Sequence, residues 1–415
     1  MAAWRSSSKQ RKARGFTIVE LMVAMTGGLF LTIVLYALSR DTSYVYQRET
    51  RVANATLASV TGFERLAADI ARAGHMSTPS ISTDPRVCNK PDTTWPDGIE
   101  RLRAVSFVTD GTAALGTELV AIGIKPHSIT ISGAFDTTEE LYTNSIAATG
   151  SGYAISLNRE TPSALRLGIK ADSASAAKNL DIAKSVFMAG NVGRIVRLRK
   201  DGSDQYGVVS SVTTDSDSVT INLAANPGLV FRLRDGVGRC GIDGNGTSFT
   251  LSVINVVRYS VKSMKSVTAY AALFNAAKAG LSADKVAELE DKRAELSRVE
   301  VAPDGTDIPG TEELVAEYAV DLRFAPWGAT NATTNPAITA RLADAFTATS
   351  GDTQLLRGIN VRLNVRSREA DRATDIGSAG PGAYRIGPLG DAKLYARVRS
   401  FQADIPLRNL EGAYW

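Results

Sequence analysis

One carboxylate, Glu20, stands alone in an otherwise uncharged apolar run from Phe16 to Leu38. A charge is costly inside hydrocarbon and normally has a partner. The run contains no Lys, Arg or His, so that partner is expected from another chain or from a new N-terminus close by. The junction Arg14-Gly15-Phe16 offers such a terminus. A secretory signal is cut at small residues after its apolar stretch. Here the small-residue junction lies before it. Cutting after Gly15 would leave the run attached and free an α-amine at Phe16, four residues ahead of Glu20. The amine of one subunit could then pair with Glu20 of its neighbour while both helices lie in lipid.

Other residue types that could do chemistry are sparse. His75 and His127 lie far apart, in no metal-ligand spacing. HExxH, GxSxG and P-loop patterns are absent, as is any Cys/His cluster with zinc spacing. Gly236 to Gly241 fits GxGxxG but leads to a Gly/Asn turn and a strand rather than a helix, so the phosphate cradle is missing. Asp243, Asn245 and Thr247 have the spacing of the first ligands of a calcium loop, yet Ile254 stands where the bidentate Glu belongs, so a hairpin turn is expected. Asp304-Gly305-Thr306-Asp307 also reads as a turn. No catalytic, cofactor-binding or metal residue is therefore expected, and no enzyme activity. Cys88 and Cys240 make an even pair, expected to form one disulfide in an oxidising compartment.

An apolar run of this length can cross a bilayer as a helix. Arg5, Lys9, Arg11, Lys12 and Arg14 precede it with no acid among them, which places the N-terminus in the cytoplasm. That leader accounts for the net charge of +4, so the remainder is near neutral and charge gives no reason to expect nucleic acid. Arg194, Arg197, Arg199 and Lys200 alternate with apolar residues as the wet face of a strand would. The composition, 44% hydrophobic and 22% charged, is that of ordinary globular proteins.

From Ser39 to Ala73 the apolar residues keep helical spacing, with Leu57, Val60, Phe63 and Ile70 expected against a sheet and Gly74 as the stop. Ser77 to Asp97 reads as a loop. Strands are expected at Arg101–Val108, Glu118–Ile124, Ser128–Ser132, Gly152–Leu157, Ala164–Ile169, Gly193–Leu198, Tyr206–Val212, Ser218–Leu223 and Phe249–Val261. The middle ones suggest an antiparallel meander, a small barrel or a sandwich. Lys265 to Arg298 reads as one or two amphipathic helices with Ser282 and Asp284 as caps, and Leu314 to Tyr318 as a helical turn entering the strand Val320–Phe324. A short helix is expected at Ile338–Phe346, then strands at Leu356–Arg366 and Leu394–Leu407, with a mobile Gly/Pro-rich stretch, Gly377 to Gly390, between them.

Gly15-Phe16-Thr17-Ile18-Val19-Glu20-Leu21 resembles the cleavage and methylation motif of type IV prepilins, G/F-T-L-x-E-x. The resemblance implies cleavage after Gly15 by a prepilin peptidase, N-methylation of Phe16, and a docking contact between Glu20 and a neighbour's amine. Many prepilins carry a Pro near the end of the apolar stretch. Here Tyr36-Ala37-Leu38 stands there, and Gly27-Gly28 is the expected weak point. Arg258-Tyr259-Ser260-Val261, Leu314 to Phe324, Gly358 to Leu363 and Ile405-Pro406-Leu407-Arg408-Asn409 look like a PilW-type minor pilin over roughly a quarter of the chain.

The fold class expected is α+β: a long N-terminal helix, half membrane span and half amphipathic, packed on an antiparallel β-sheet pilin domain. Its parts are a leader (1–15), a transmembrane and filament-core helix (16–38), the amphipathic half (39–74) and a globular domain (75–415). The β-rich stretch near 133–245 and the helical stretch near 262–298 would be insertions. The function implied is a minor pilin that initiates or caps a type IV pilus. Its partners would be prepilin peptidase, other minor and major pilins, the inner-membrane assembly platform and a tip adhesin. The location implied is the inner membrane with the domain in the periplasm, then the pilus on the cell surface. Two rivals stay open: a pseudopilin of a type II secretion system, and a membrane-anchored adhesin that never polymerises.

Overall fold

The structure is a computed structural model that describes residues 17–109, 125–215, 218–232, 240–280, 282–283, 293–329, 338–339, 353–372 and 395–410. The chain divides into two units, Met1–Thr56 and Leu57–Trp415. Helix α1 (Ile18–Ala71) begins in the first and ends in the second.

Within the first unit, Ile18–Ser43 is long and apolar enough to cross a membrane. Its large side chains are exposed, Phe30 at 70% and Ile33 at 58%. Hydroxyls within this run turn back onto their own helix. Thr26 Oγ1 donates to the Met22 carbonyl at 3.0 Å and Thr32 Oγ1 to the Gly28 carbonyl at 2.7 Å. In lipid these bonds keep both hydroxyls satisfied without a second chain. The helix passes through Gly27-Gly28 without a break.

In the second unit α1 is amphipathic. Phe63, Leu66 and Ile70 are buried at helical spacing, while Glu64, Arg65 and Ala68 face water. Leu57, expected on the buried stripe, is instead 68% exposed.

The strands are β1 (Val105–Val108), β2 (Ser128–Gly133), β3 (Leu141–Thr149), β4 (Gly152–Leu157), β5 (Met188–Ala189), β6 (Val192–Gly193), β7 (Ile195–Lys200), β8 (Ser203–Thr214), β9 (Val219–Ala224), β10 (Thr250–Lys262), β11 (Glu295–Glu300), β12 (Glu313–Ala316), β13 (Ala319–Ala329), β14 (Ile338–Thr339), β15 (Leu356–Arg372) and β16 (Tyr395–Pro406). Helices α2 (Pro162–Leu167), α3 (Ala176–Phe187) and α4 (Ala271–Lys278) lie between them.

Besides the small hairpin of β5 and β6, three assemblies form among the described residues. The first half of β10 pairs with β3 on one side and β7 on the other, closing the ring β10-β3-β4-β9-β8-β7 into an antiparallel barrel. The second half of β10 pairs with β2 and β11, giving a sheet β1-β2-β10-β11-β12. A separate sheet runs β14-β13-β15-β16. The barrel has its own core, including Ile155, Val196, Ile221, Leu223 and Leu251, with Phe187 of α3 against it. Phe63, Leu66 and Ile70 of α1 share another core with Val257 and Tyr259 of β10, Leu322 and Phe324 of β13, and Val361 and Leu363 of β15.

Several expected elements differ. Ala164–Ile169 is not a strand but lies mostly in α2. Thr161 caps its N-terminus, Pro162 occupies the first turn, and Gly168 ends it in the left-handed region at φ 88. Glu295–Arg298, the end of the stretch expected as helix, lies in strand β11, because its buried residues pair along β10. Leu314–Tyr318, expected as a helical turn, holds β12, drawn extended by β11. Ile338–Thr339 pairs with Gly328–Ala329 instead of starting a helix. Strand Arg101–Val108 begins only at Val105. No expectation covered β3 or α3. Glu118–Ile124, Asp284, residues 340–346 and the stretch 377–390 lie outside the described residues.

α1 approaches β12 closely at Gly62, where a Cβ would stand 2.2 Å from the Val315 carbonyl oxygen. Gly62→Ala must push the helix off the strand. The clash, set against about 1 kcal/mol gained in helix propensity, should leave a net loss of about 1–2 kcal/mol. Denaturant unfolding of the full chain in detergent reads it, and an unchanged midpoint would mean the helix does not need this close approach.

Candidate functional site: the helix start and its seat on the sheet

Gly15 and Phe16, the expected cleavage and methylation residues, lie outside the described residues. The described chain starts with a built helix start. The Thr17 backbone N–H and its hydroxyl both donate to Glu20 Oε2 at 3.0 Å, and the Glu20 N–H donates to Thr17 Oγ1 at 3.3 Å. This is a capping box, in which two residues three apart satisfy each other's orphan groups. Thr17 gives the carboxylate hydrogen-bond partners on its own chain but, being neutral, leaves the Glu20 charge to be balanced by the amine expected of a neighbour. The Thr-x-x-Glu spacing was in plain view. Glu20 therefore has two uses in one place: it completes a helix start, and it presents a negative charge at the end of an apolar surface.

At the other end of α1, in the second unit, a buried charge fixes the helix on the sheet. Asp69 is 8% exposed and Arg298 5%. Asp69 Oδ2 accepts from Tyr259 OH at 2.7 Å and from Arg298 Nε at 3.0 Å. Arg298 Nη1 reaches Glu313 Oε1 at 3.2 Å, and Arg65 of α1 pairs with Glu313 from the surface. Burial and the Asp69 charge push the Tyr259 hydroxyl far above the ordinary tyrosine range, so it stays a donor. One helix and three strands, β10, β11 and β12, thus meet in a single hydrogen-bonded chain.

A second buried cation lies beside it. Arg293, 2% exposed, is sandwiched between the rings of Phe274 on α4 (4.4 Å) and Tyr318 (4.7 Å). It pairs with Glu295, which also accepts the Met264 N–H at 3.0 Å. Desolvation raises the Glu295 pKa despite that neighbour. This is how the short helix α4 is fastened to the sheet.

The remaining sequence candidates are dispersed. Cys88 and Cys240 are joined, with their Cα atoms 5.2 Å apart across 152 residues of chain. The bond fastens the stretch before β1 onto the barrel, where Val87 also bridges to Asp204. His127 lies 3.0 Å from Arg323 Nη1, and its Nδ1 accepts the Phe324 N–H at 3.3 Å. Arg197 is buried rather than on a wet face and donates to Glu140, and Arg194 makes a bidentate pair with Glu300. Asp243 faces Lys200 at 3.4 Å in an exposed turn. Of the GxGxxG stretch only Cys240 and Gly241 fall among the described residues. Among the described residues no group of three His, Cys, Asp or Glu is placed to hold a metal ion.

Asp204 was not singled out by its sequence. It is 2% exposed, with Arg199 Nε at 3.6 Å and Arg197 Nε at 3.9 Å, both too long for a direct hydrogen bond. Burial raises its pKa, outweighing the two guanidinium groups, and the nearby Asp84 charge adds to the rise. No family model, no curated protein and no solved structure matches this chain.

Two outcomes follow from these buried charges. Asp69→Ala should destabilise the second unit by about 3–5 kcal/mol, toward the lower end because Glu313 still faces Arg298. Asp69→Asn, which keeps an acceptor for Tyr259, should cost less; in urea unfolding, an Asn variant as stable as wild type would show that the charge contributes nothing, and losses equal to those of Ala that the retained acceptor contributes nothing. Asp204 has a folded pKa above its unfolded value near 3.8. Its ionisation therefore opposes folding at neutral pH, and stability should rise as pH falls through the folded pKa toward 3.8. Unfolding midpoints compared with Asp204→Asn across that window should show wild type gaining on the variant as pH drops, and parallel curves would exclude it.

Proposed function

We propose that the chain is a type IV minor pilin of the PilW type. It is made as a prepilin with a cytoplasmic N-terminus, cut after Gly15 by a prepilin peptidase, methylated on Phe16 and incorporated through its N-terminal helix to initiate or cap a pilus. The observation that carries this reading is Glu20 on the first turn of an exposed apolar helix, directly after the basic leader and Gly15. A plain anchor could use a capping side chain there, but uncharged Gln would cap it equally well, so it has no use for the charge. A filament subunit has, because docking supplies a neighbour's amine.

The rest of the fold agrees with that use. A helix that is amphipathic only in its second part presents its first part to lipid or to other helices. The barrel and the α4 region occupy the stretches 133–245 and 262–298 that differ from a plain pilin sheet, and on this reading they are insertions. A head as large as Leu57–Trp415 suits a low-copy position in the filament better than the shaft. The partners are the peptidase, major and minor pilins, the inner-membrane assembly platform and an adhesin at the tip. The domain lies in the periplasm before assembly and on the pilus afterwards.

The capping box makes the decisive variant Glu20→Gln, since Gln fills the same capping position without charge. We expect the variant to insert, fold and be cut, yet to be lost from sheared pili. Normal incorporation would remove Glu20 as the docking charge. N-terminal sequencing of protein from cells with and without the peptidase should show loss of residues 1–15 and a methylated Phe16 only in the former. An intact N-terminus in both would reduce the span to an anchor.

A further inference from the structure

The turn between the barrel's last loop and β10 carries Asp243-Gly244-Asn245-Gly246-Thr247. Asn-x-Ser/Thr is the acceptor pattern for N-linked glycosylation, in which the hydroxyl two residues on is read together with the amide. The pattern occurs three times in the chain, at Asn54-Ala55-Thr56, Asn245-Gly246-Thr247 and Asn331-Ala332-Thr333. Only at Asn245 does an acid stand two residues ahead, where Val52 and Ala329 precede the other two.

At Asn245 the structure shows an open turn. Asp243, Asn245 and Thr247 are all exposed. The backbone beneath them is pinned. The Asn245 carbonyl accepts the Ile146 N–H at 2.8 Å, the Gly246 carbonyl accepts Thr143 Oγ1 at 2.7 Å, and a Cβ on Gly246 would lie 2.7 Å from that of Ile146. The glycine lets the turn sit down on β3 and leaves the Asn245 side chain on the outer surface. The Asn245 carboxamide and the Thr247 hydroxyl have no hydrogen bond to another of the described residues. Asp243 is held charged, chiefly by its own backbone N–H and also by Lys200 at 3.4 Å, with Arg232 at 4.0 Å. Adding a sugar to Asn245 therefore breaks no internal bond and buries no charge.

We propose that Asn245 is an N-glycosylation site, with Thr247 as the hydroxyl and Asp243 as the acidic flank read by an oligosaccharyltransferase. The co-substrate is an oligosaccharide carried on a lipid pyrophosphate. Asn245 Nδ2 attacks the anomeric carbon of the first sugar, and the new C–N bond replaces the bond from that carbon to the pyrophosphate oxygen. The lipid pyrophosphate leaves with the electron pair, and one amide proton is given up to a base of the transferase. The proposal rests on the export reading above, because such a transfer happens outside the cytoplasm.

The test is the intact mass of the full chain isolated in detergent from its own cells, with peptide mapping across residues 240–250. The expected result is a glycan mass on the peptide holding Asn245, lost completely in Asn245→Gln and in Thr247→Ala. Both replaced side chains are exposed and bond to none of the described residues, so these variants should fold as wild type does. An unmodified Asn245, or added mass that survives Asn245→Gln, overturns the proposal. The thiol state of Cys88 and Cys240 in that sample separates the two failures. A bridged pair with a bare Asn245 leaves export standing, whereas free thiols bring the export reading down with it.

Discussion

Strand β10 is paired on both edges at two places along its length. Thr250 and Leu251 pair with β3 and β7, and Val257, Arg258 and Tyr259 with β2 and β11. Every backbone donor and acceptor along a strand needs a partner once buried. One run of thirteen residues thus closes the barrel at one end and centres a sheet at the other. The barrel and the sheet cannot move independently, because they are two halves of the same ladder. A strand buried on both edges and largely on both faces requires the near-continuous apolar pattern Leu251–Val257 shows, interrupted by Ser252 and Asn255, of which Asn255 bonds outward to Phe135 and Asp136.

Around that strand, buried charge is used as a fastener. Asp69, Tyr259 and Arg298 join α1 to β10 and β11, and Arg293 with Glu295 joins α4 to β11. Replacing such groups by well-packed apolar residues would often be neutral, so their value here lies in geometry. An apolar helix face can slide along a sheet by a turn at little cost. A carboxylate 2.7 Å from a tyrosine hydroxyl and 3.0 Å from a guanidinium nitrogen cannot. Gly62 adds a steric stop from the opposite direction.

Legibility in the sequence followed whether a signal was local. The apolar run, the isolated Glu20, the amphipathic period through Ile70 and the long β10 pattern are all read from neighbours in the chain. The capping box at Thr17 and the Thr161-Pro162 to Gly168 helix were equally local and could have been found by the same rules. β11 and β12 could not. Their Glu, Arg and Ala content favours helix, and only pairing to β10 draws them extended, which is the usual override of propensity by tertiary context. Asp204 and Arg293 were illegible for the same reason, since their burial comes from strands that are distant along the chain.

The ring closes on a strand that comes after all its other members. β3, β4, β7, β8 and β9 lie between residues 141 and 224, yet β3 and β7 keep raw edges until Thr250–Ile254 is available. Cys88 likewise waits for Cys240, and the buried stripe of α1, near the start, waits for residues as late as Leu407. A chain emerging from its amino end therefore spends most of its synthesis with unpaired strand edges and apolar surface on display, the condition that invites aggregation. The architecture demands that whatever attends the chain during its synthesis shields it until the last third has arrived.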